Sequence, residues 1–256
     1  MEFFNYRMPP FLTVMGALYI LVAAPVLINL LRDGYWSGVA RQISRNLVRY
    51  KLHIAIFLLL DFAIITWLDI PVTLAVKQMD TWSHSYTFWD FICSCAEGGL
   101  LSGVLFTGFM LADYFKIKKL ALTFKISLMG SIYAGLANGV LKFLFNRQRP
   151  SIGLDQWHFF AFFESGAKHF DDLMYAFNSM PSGHTISTVS ALVPFFMAYR
   201  NKYVRSCLVL WAILVSFSRV YTINHWLSDV LMSCMLGIII GLAVYQANCK
   251  RYCNEN

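Results

Sequence analysis

The chain is expected to be an all-α, polytopic membrane helix bundle, with a six-helix core preceded by an extra N-terminal hydrophobic segment. Three observations predict this. Hydrophobic residues fill 58% of the 256 positions and charged ones only 14%, whereas about a quarter of an ordinary soluble domain is charged. Apolar runs of membrane-crossing length occupy almost the whole chain. Lysine and arginine collect in alternate connections between those runs, as they do when loops are sorted across a bilayer.

About 20 apolar residues cross the hydrocarbon of a membrane. That length places segments at roughly 10–31, 52–70, 92–114, 120–141, 184–199, 204–222 and 226–247. In lipid the backbone must satisfy its own hydrogen bonds, so each is a helix. Segment 10–31 carries Pro25 and Asn29, so it either spans with a kink or lies partly in the interface. It lacks the basic start and small-residue cleavage site of a removable signal peptide. Segment 52–70 holds Asp61 mid-way, where an ionisable group is costly. Asp61 reads either as packed against a polar group such as Asn138 or as part of an internal cavity. Segment 184–199 is short, with polar ends that let it extend at either side. There is no repeat and no linker rich in Gly, Ser or Pro. Residues 1–51 therefore form an N-terminal segment with a basic connection, and 52–256 form the core.

Cations are retained on the cytoplasmic side. Arg32, Arg41, Arg45, Arg49 and Lys51 fill the first connection; Lys116, Lys118 and Lys119 the third; Arg200, Lys202 and Arg205 the fifth. Lys250 and Arg251 follow the last helix. Loop 71–91 offers only Lys77, and 151–182 sets Lys168 against Asp155, Glu164, Asp171 and Asp172. The net charge of +7 is thus a topology signal, and it argues against nucleic acid as a partner. The C-terminus is cytoplasmic; if all seven segments span, the N-terminus is outside.

By this assignment three polar clusters reach the extracytoplasmic face: "KFLFNRQRP" (Lys142–Pro150), "PSGH" (Pro181–His184) and "SRVYTINHWLSD" (Ser218–Asp229). Lys142 and Arg149, seven apart, would share a helical face and could hold a dianion, arginine supplying a planar fork of donors. Taken alone they read more simply as anchors at the lipid headgroups, the reading kept for Arg147. Ser182 is a natural N-cap, and Gly183 lets backbone approach a ligand closely. The amides of a helix start form an anion cradle, with His184 beside it; a capped helix with a satisfied histidine is the plainer account. Asp229 follows His225 by four residues and would face the same way. A carboxylate accepting from one imidazole nitrogen leaves the other free to attack. Arg219 adds a further cation.

Together these residues resemble the signature of the type-2 phosphatidic acid phosphatase superfamily of integral membrane lipid phosphatases: Lys142…Arg149-Pro150, Pro181-Ser182-Gly183-His184, and Ser218-Arg219…His225…Asp229. Each motif alone is weak; the ordered trio on one face is specific. The resemblance covers 142–229, and the family's six-helix core would cover about 52–247. It implies His225 as the nucleophile that forms a phosphohistidine, Asp229 as its orienting partner and His184 as general acid. It also implies that Lys142, Arg149, Ser182, Gly183 and Arg219 hold the phosphate. No metal or other cofactor is expected, and no His/Cys/carboxylate cluster has ligand spacing.

The implied function is hydrolysis of the terminal phosphate of a lipid phosphate or diphosphate, of the undecaprenyl diphosphate, phosphatidylglycerophosphate or lipid A type. It would act at the periplasmic or exterior face of a cell inner membrane, with the bilayer and its lipids as partners. A lipid phosphotransferase would use the same intermediate, and a non-enzymatic lipid carrier would need a polar path through the helices. The family's haloperoxidase relatives are soluble, which the seven apolar runs oppose. Of the remaining residues, Glu97 reads as a solvated helix end or a supporting partner of the site. "WHFFAFF" (Trp157–Phe163) reads as an interfacial belt or a lip for a lipid, and His158 and His169 as loop residues. Cys93 and Cys95 are too close in the chain to bridge well, so free thiols are expected.

Overall fold

The computed structural model describes residues 36–79, 83–163 and 176–254, together with Arg32 and Gly34. The predicted segment 10–31 and His169 lie outside the described residues. Within them the chain forms nine α-helices and one 3-10 turn, Ala161–Phe163, and no strand. The helices are α1 (Val39–Arg49), α2 (Lys51–Trp67), α3 (Asp69–Met79), α4 (Ser83–Cys95), α5 (Gly98–Tyr114), α6 (Lys118–Phe145), α7 (Gly183–Ala198), α8 (Lys202–Tyr221) and α9 (Leu227–Asn254). The all-α membrane bundle expected from composition is what the chain adopts.

Two predicted spans are broken. Segment 52–70 becomes α2 and α3, bent by 55°. Pro71 stands in the first turn of α3, where its missing N–H is harmless. In a continuous helix its ring would collide with the carbonyl four residues back, so α2 stops at Trp67. Segment 92–114 becomes α4 and α5, bent by 59° around Ala96–Glu97 and the flexible pair Gly98–Gly99. Glu97 is the exposed residue preceding α5, a solvated helix end. The other spans run unbroken: α6, α8 and α9 are each long and apolar enough to cross a membrane. The side chain of Asn201 caps α8, accepting from the amides of Tyr203 (2.8 Å) and Val204 (3.4 Å).

The short helix α7 is the axis. It packs against α9 on one side and α6 on the other, with α5 beyond α6 and α8 against its remaining flank. Ile126, Met129, Ile186, Ala191, Ala243 and Val244 form the centre of the core. The α7–α9 seam is close because two glycines of α9 lie in it. A methyl added at Gly237 would meet Ile186 O and Val189 Cβ at 2.9 Å; at Gly241 it would meet Val193 Cβ at 2.7 Å and Ser190 O at 2.8 Å. Glycines four apart are a recurring device for close helix contact in lipid, where packing replaces the hydrophobic effect. At the far end α1 lies against α9, with Gln42 Nε2 donating to Gln246 Oε1 (2.9 Å) and Val39 and Asn46 buried. Many large apolar side chains on α2, α5 and α8 are exposed, as lipid-facing surfaces are.

Because the neighbours at Gly237 and Gly241 include backbone and β-carbons that cannot swing aside, Gly241→Ala should destabilise the bundle by about 1–3 kcal/mol. Gly135→Ala, where an added methyl meets nothing within 4 Å, should be neutral or slightly stabilising; thermal unfolding in detergent compares the two.

Candidate active site

The three clusters come together at one end of α6, α7 and α9. Helix α6 stops at Phe145 because Asn146 turns left-handed (φ 39°), a conformation asparagine tolerates. Its amide bonds Lys142 O (2.9 Å) and its side chain donates to Phe177 O (3.1 Å). The chain then runs extended beside 176–179, Arg149 N donating to Ala176 O (2.8 Å) and Ser179 N to Arg147 O (3.0 Å). Lys142 and Arg149 therefore do not share a helical face, as their spacing suggested; the turn at Asn146 separates them. Lys142 Nζ donates to Asn178 O (2.8 Å) and Arg149 Nη1 to Asn224 Oδ1 (3.2 Å), so each cation is tied to the loop of another cluster.

Ser182 precedes α7 in extended conformation, but its hydroxyl makes no capping bond. Its amide donates to Ser233 Oγ (2.7 Å), and that hydroxyl donates to Asp229 O (2.6 Å). The start of α7 is thereby fixed to the first turns of α9. A methyl at Gly183 would sit 3.1 Å from Asn138 Nδ2. Asn138 is thus a neighbour of the α7 start, and no Asp61–Asn138 bond forms. Asp61 is buried with Oδ1 unpartnered among the described residues, in the field of Asp69, Asp229 and Arg147.

His225 lies in the turn between α8 and α9, its amide bonded to Arg219 O (3.2 Å). Its ring is 2% exposed. Nδ1 stands 2.6 Å from Ser179 O. A carbonyl only accepts, so Nδ1 carries the proton and Nε2 keeps its lone pair. The expected direct bond to Asp229 is not made: Nδ1 and Asp229 Oδ2 are 3.8 Å apart. Asp229 instead accepts from Ser179 Oγ and from Trp226 N (2.9 Å), and so grips the residues on either side of the imidazole contact. Helix α9 begins at Leu227, not at His225, which turns the two side chains apart. Burial chiefly, then the charges of Arg219, Arg149, Lys142 and His184, hold the His225 imidazole well below the usual histidine range. Those four groups and His225 thus share one small electrostatic neighbourhood. Arg219 is buried, with Nη1 donating to Cys93 Sγ and Nε without a partner among the described residues. The cysteines whose side chains are described are free.

Arg147 overturns its sequence reading. It is not a headgroup anchor; it is wholly buried. Nη1 donates to Asp229 Oδ1 (2.5 Å) and Ser228 Oγ (2.8 Å), Nη2 to Asp69 Oδ2 (2.8 Å) and Gln156 O (2.7 Å), and Nε to Gln156 O (3.1 Å). Its plane lies near the rings of Phe159 (4.9 Å) and Trp226 (5.4 Å). Asp69, Ser179 and Ser228 were not singled out from sequence. The available signal was a third cation in "KFLFNRQRP", which in an apolar chain requires a buried counter-charge; Asp69, at the end of an apolar run, was there to supply it. From the aromatic run, Trp157, Phe160 and Phe163 are exposed, and His158 is a loop residue packed on Phe177.

The sequence model of the PAP2 superfamily matches residues 123–253, which contain all three clusters. Among solved structures, a transmembrane PAP2-type phosphatidylglycerolphosphate phosphatase from Bacillus subtilis superposes with a TM-score of 0.57 at 23% identity, covering 77% of this chain and 94% of that one. LpxE from Aquifex aeolicus superposes with a TM-score of 0.50 at 18% identity, covering 70% and 95%. At these identities the likeness is one of fold. No curated protein matches the chain in sequence.

A buried neutral imidazole makes stability depend on pH in a definite direction. Below the unfolded value of about 6.5 the unfolded chain takes up a proton that native His225 refuses, so acid costs up to about 1.4 kcal/mol per pH unit from this group. Lowering pH from 7 to 5 should lower the unfolding temperature, and His225→Gln should shrink that drop; scans at several pH values measure both.

Proposed function

The chain belongs to the PAP2 superfamily; from that premise we propose that it is a membrane-embedded lipid phosphatase, removing the terminal phosphate of a lipid phosphate or diphosphate through a phosphohistidine at His225. The observation that carries the proposal is the Nδ1 contact of His225 with Ser179 O, which presents an unprotonated Nε2 amid Arg219, Arg149, Lys142 and His184.

In the proposed reaction Nε2 attacks phosphorus and the P–O bond to the lipid breaks. The bonding electrons leave on the lipid oxygen, which takes a proton from His184. Water, giving its proton to His184, then attacks the phosphohistidine; the P–N bond breaks and inorganic phosphate departs. Lys142, Arg149 and Arg219 offset the charge on the transferring group, and the Ser182 hydroxyl and the Gly183 amide offer donors at the α7 N-terminus. The scheme needs no metal and no other cofactor. An apolar cavity of about 700 Å³ between α7, α8 and α9, with Val220, Leu227 and Val230 near the site, supports a substrate that carries hydrocarbon. With the cation-rich loops cytoplasmic, the site faces the periplasm or exterior of an inner membrane. Candidate substrates are undecaprenyl diphosphate, phosphatidylglycerophosphate and lipid A phosphates.

The test is phosphate release by purified protein over a panel of these lipids. His225→Ala should lower release by at least about 10³-fold while the variant still folds. Retained release would remove His225 from the reaction, and transfer to an added acceptor lipid without free phosphate would make the protein a phosphotransferase.

A further inference from the structure

Arg147 and Asp69 stand outside the three-part signature, yet both bond the residues at the start of α9. We propose that Arg147 and Asp69 are positioning residues for the phosphoryl-transfer step, acting through Asp229 and Ser228 to hold the His225 turn in place. The inference rests on the reading of His225 as nucleophile.

A guanidinium has five N–H donors, and the five contacts of Arg147, two of them to Gln156 O, account for all of them. It has no donor left for a phosphate, unlike Arg219, whose buried Nε is without a partner among the described residues. What Arg147 does is fix carboxylates. One oxygen of Asp229 is held by Arg147; the other takes Trp226 N, the amide next after His225, and Ser179 Oγ, whose own residue supplies the carbonyl on His225 Nδ1. Rotation of the Asp229 carboxylate would release both neighbours of the imidazole. Asp69 completes the clamp: Oδ1 accepts from Ser228 N (3.0 Å) and Oδ2 from Ser228 Oγ (2.5 Å) and from Arg147. Asp69 can reach Ser228 because α3 is bent 55° from α2 and opens at Asp69. All three charged side chains are wholly buried, so each depends on the others for compensation.

Since truncating a buried ion cluster can prevent folding, the test uses near-isosteric changes in the full chain. Arg147→Lys keeps the charge and loses the fork; Asp69→Asn keeps the shape and loses the charge. Rapid-quench kinetics with a radiolabelled lipid phosphate read both the amplitude of phosphoenzyme formed and its rate constant. We expect amplitude and KM near those of the wild type, with the rate constant lowered about 10–100-fold in each variant. In an Asp229→Asn background Arg147→Lys should lower the rate no further, because its effect passes through that carboxylate. Wild-type rates in both variants would overturn the proposal. So would an equal fold loss in the two backgrounds, or a lost amplitude with an unchanged rate constant, either of which marks a purely structural role. Phosphate release by His225→Ala would instead sink the nucleophile reading and this inference with it.

Discussion

An arginine placed where no water can reach it must bring its counter-charges along, and in this bundle that requirement organises one whole end of the molecule. Arg147 sits on the stretch after α6, Asp69 at the opening of α3 and Asp229 in the first turn of α9. None of these segments is near another in sequence. Isolated in hydrocarbon, any one of the three would cost several kcal/mol. Together they form a knot that forces the three segments to one point, and the polar loops carrying the signature residues follow.

The knot also explains a division of labour among the cations. Arg147 is saturated by protein, whereas Lys142 and Arg149 each reach a carbonyl or amide oxygen of a neighbouring loop. Burial beside these cations favours a bound polyanion and, before it binds, a neutral imidazole. The low affinity of His225 for protons follows first from its burial and then from the same cations that would hold phosphate. Backbone supplies the remaining control: the Ser179 carbonyl dictates which ring nitrogen keeps its lone pair, and Asp229 works one step behind it.

Much of this was legible in the sequence, for identifiable reasons. Helical class and span positions follow from apolar run length, a signal that tertiary context does not override. The signature residues were found because their types and spacing are restrictive. What failed was local geometry inferred from helical periodicity. Spacing puts Lys142 and Arg149 on one helix face, but Asn146 ends the helix between them; it pairs His225 and Asp229 as i and i+4, but α9 starts two residues after His225. The bends at Leu68 and Ala96–Glu97 were hidden because hydropathy averages over a proline or a glycine pair. Arg147 and Asp69 escaped notice because their meaning lies in a contact between residues 78 positions apart, which periodicity cannot reveal. The pair Gly237 and Gly241, by contrast, spelled out a close-contact motif that could have been read.

Those two glycines constrain how the molecule can move. Where helices touch backbone to backbone, sliding one past the other would drive carbonyls and β-carbons into each other, so the α7–α9 pair behaves as a single rigid strut. Any breathing that lets a long hydrocarbon pass must then be borne by the periphery. Helix α8 is suited to this, with only 22% of its apolar stretch buried inside the bundle, as are the two bent pairs, whose breaks are ready-made hinges. Substrate traffic and chemical precision are thereby assigned to different parts of the fold.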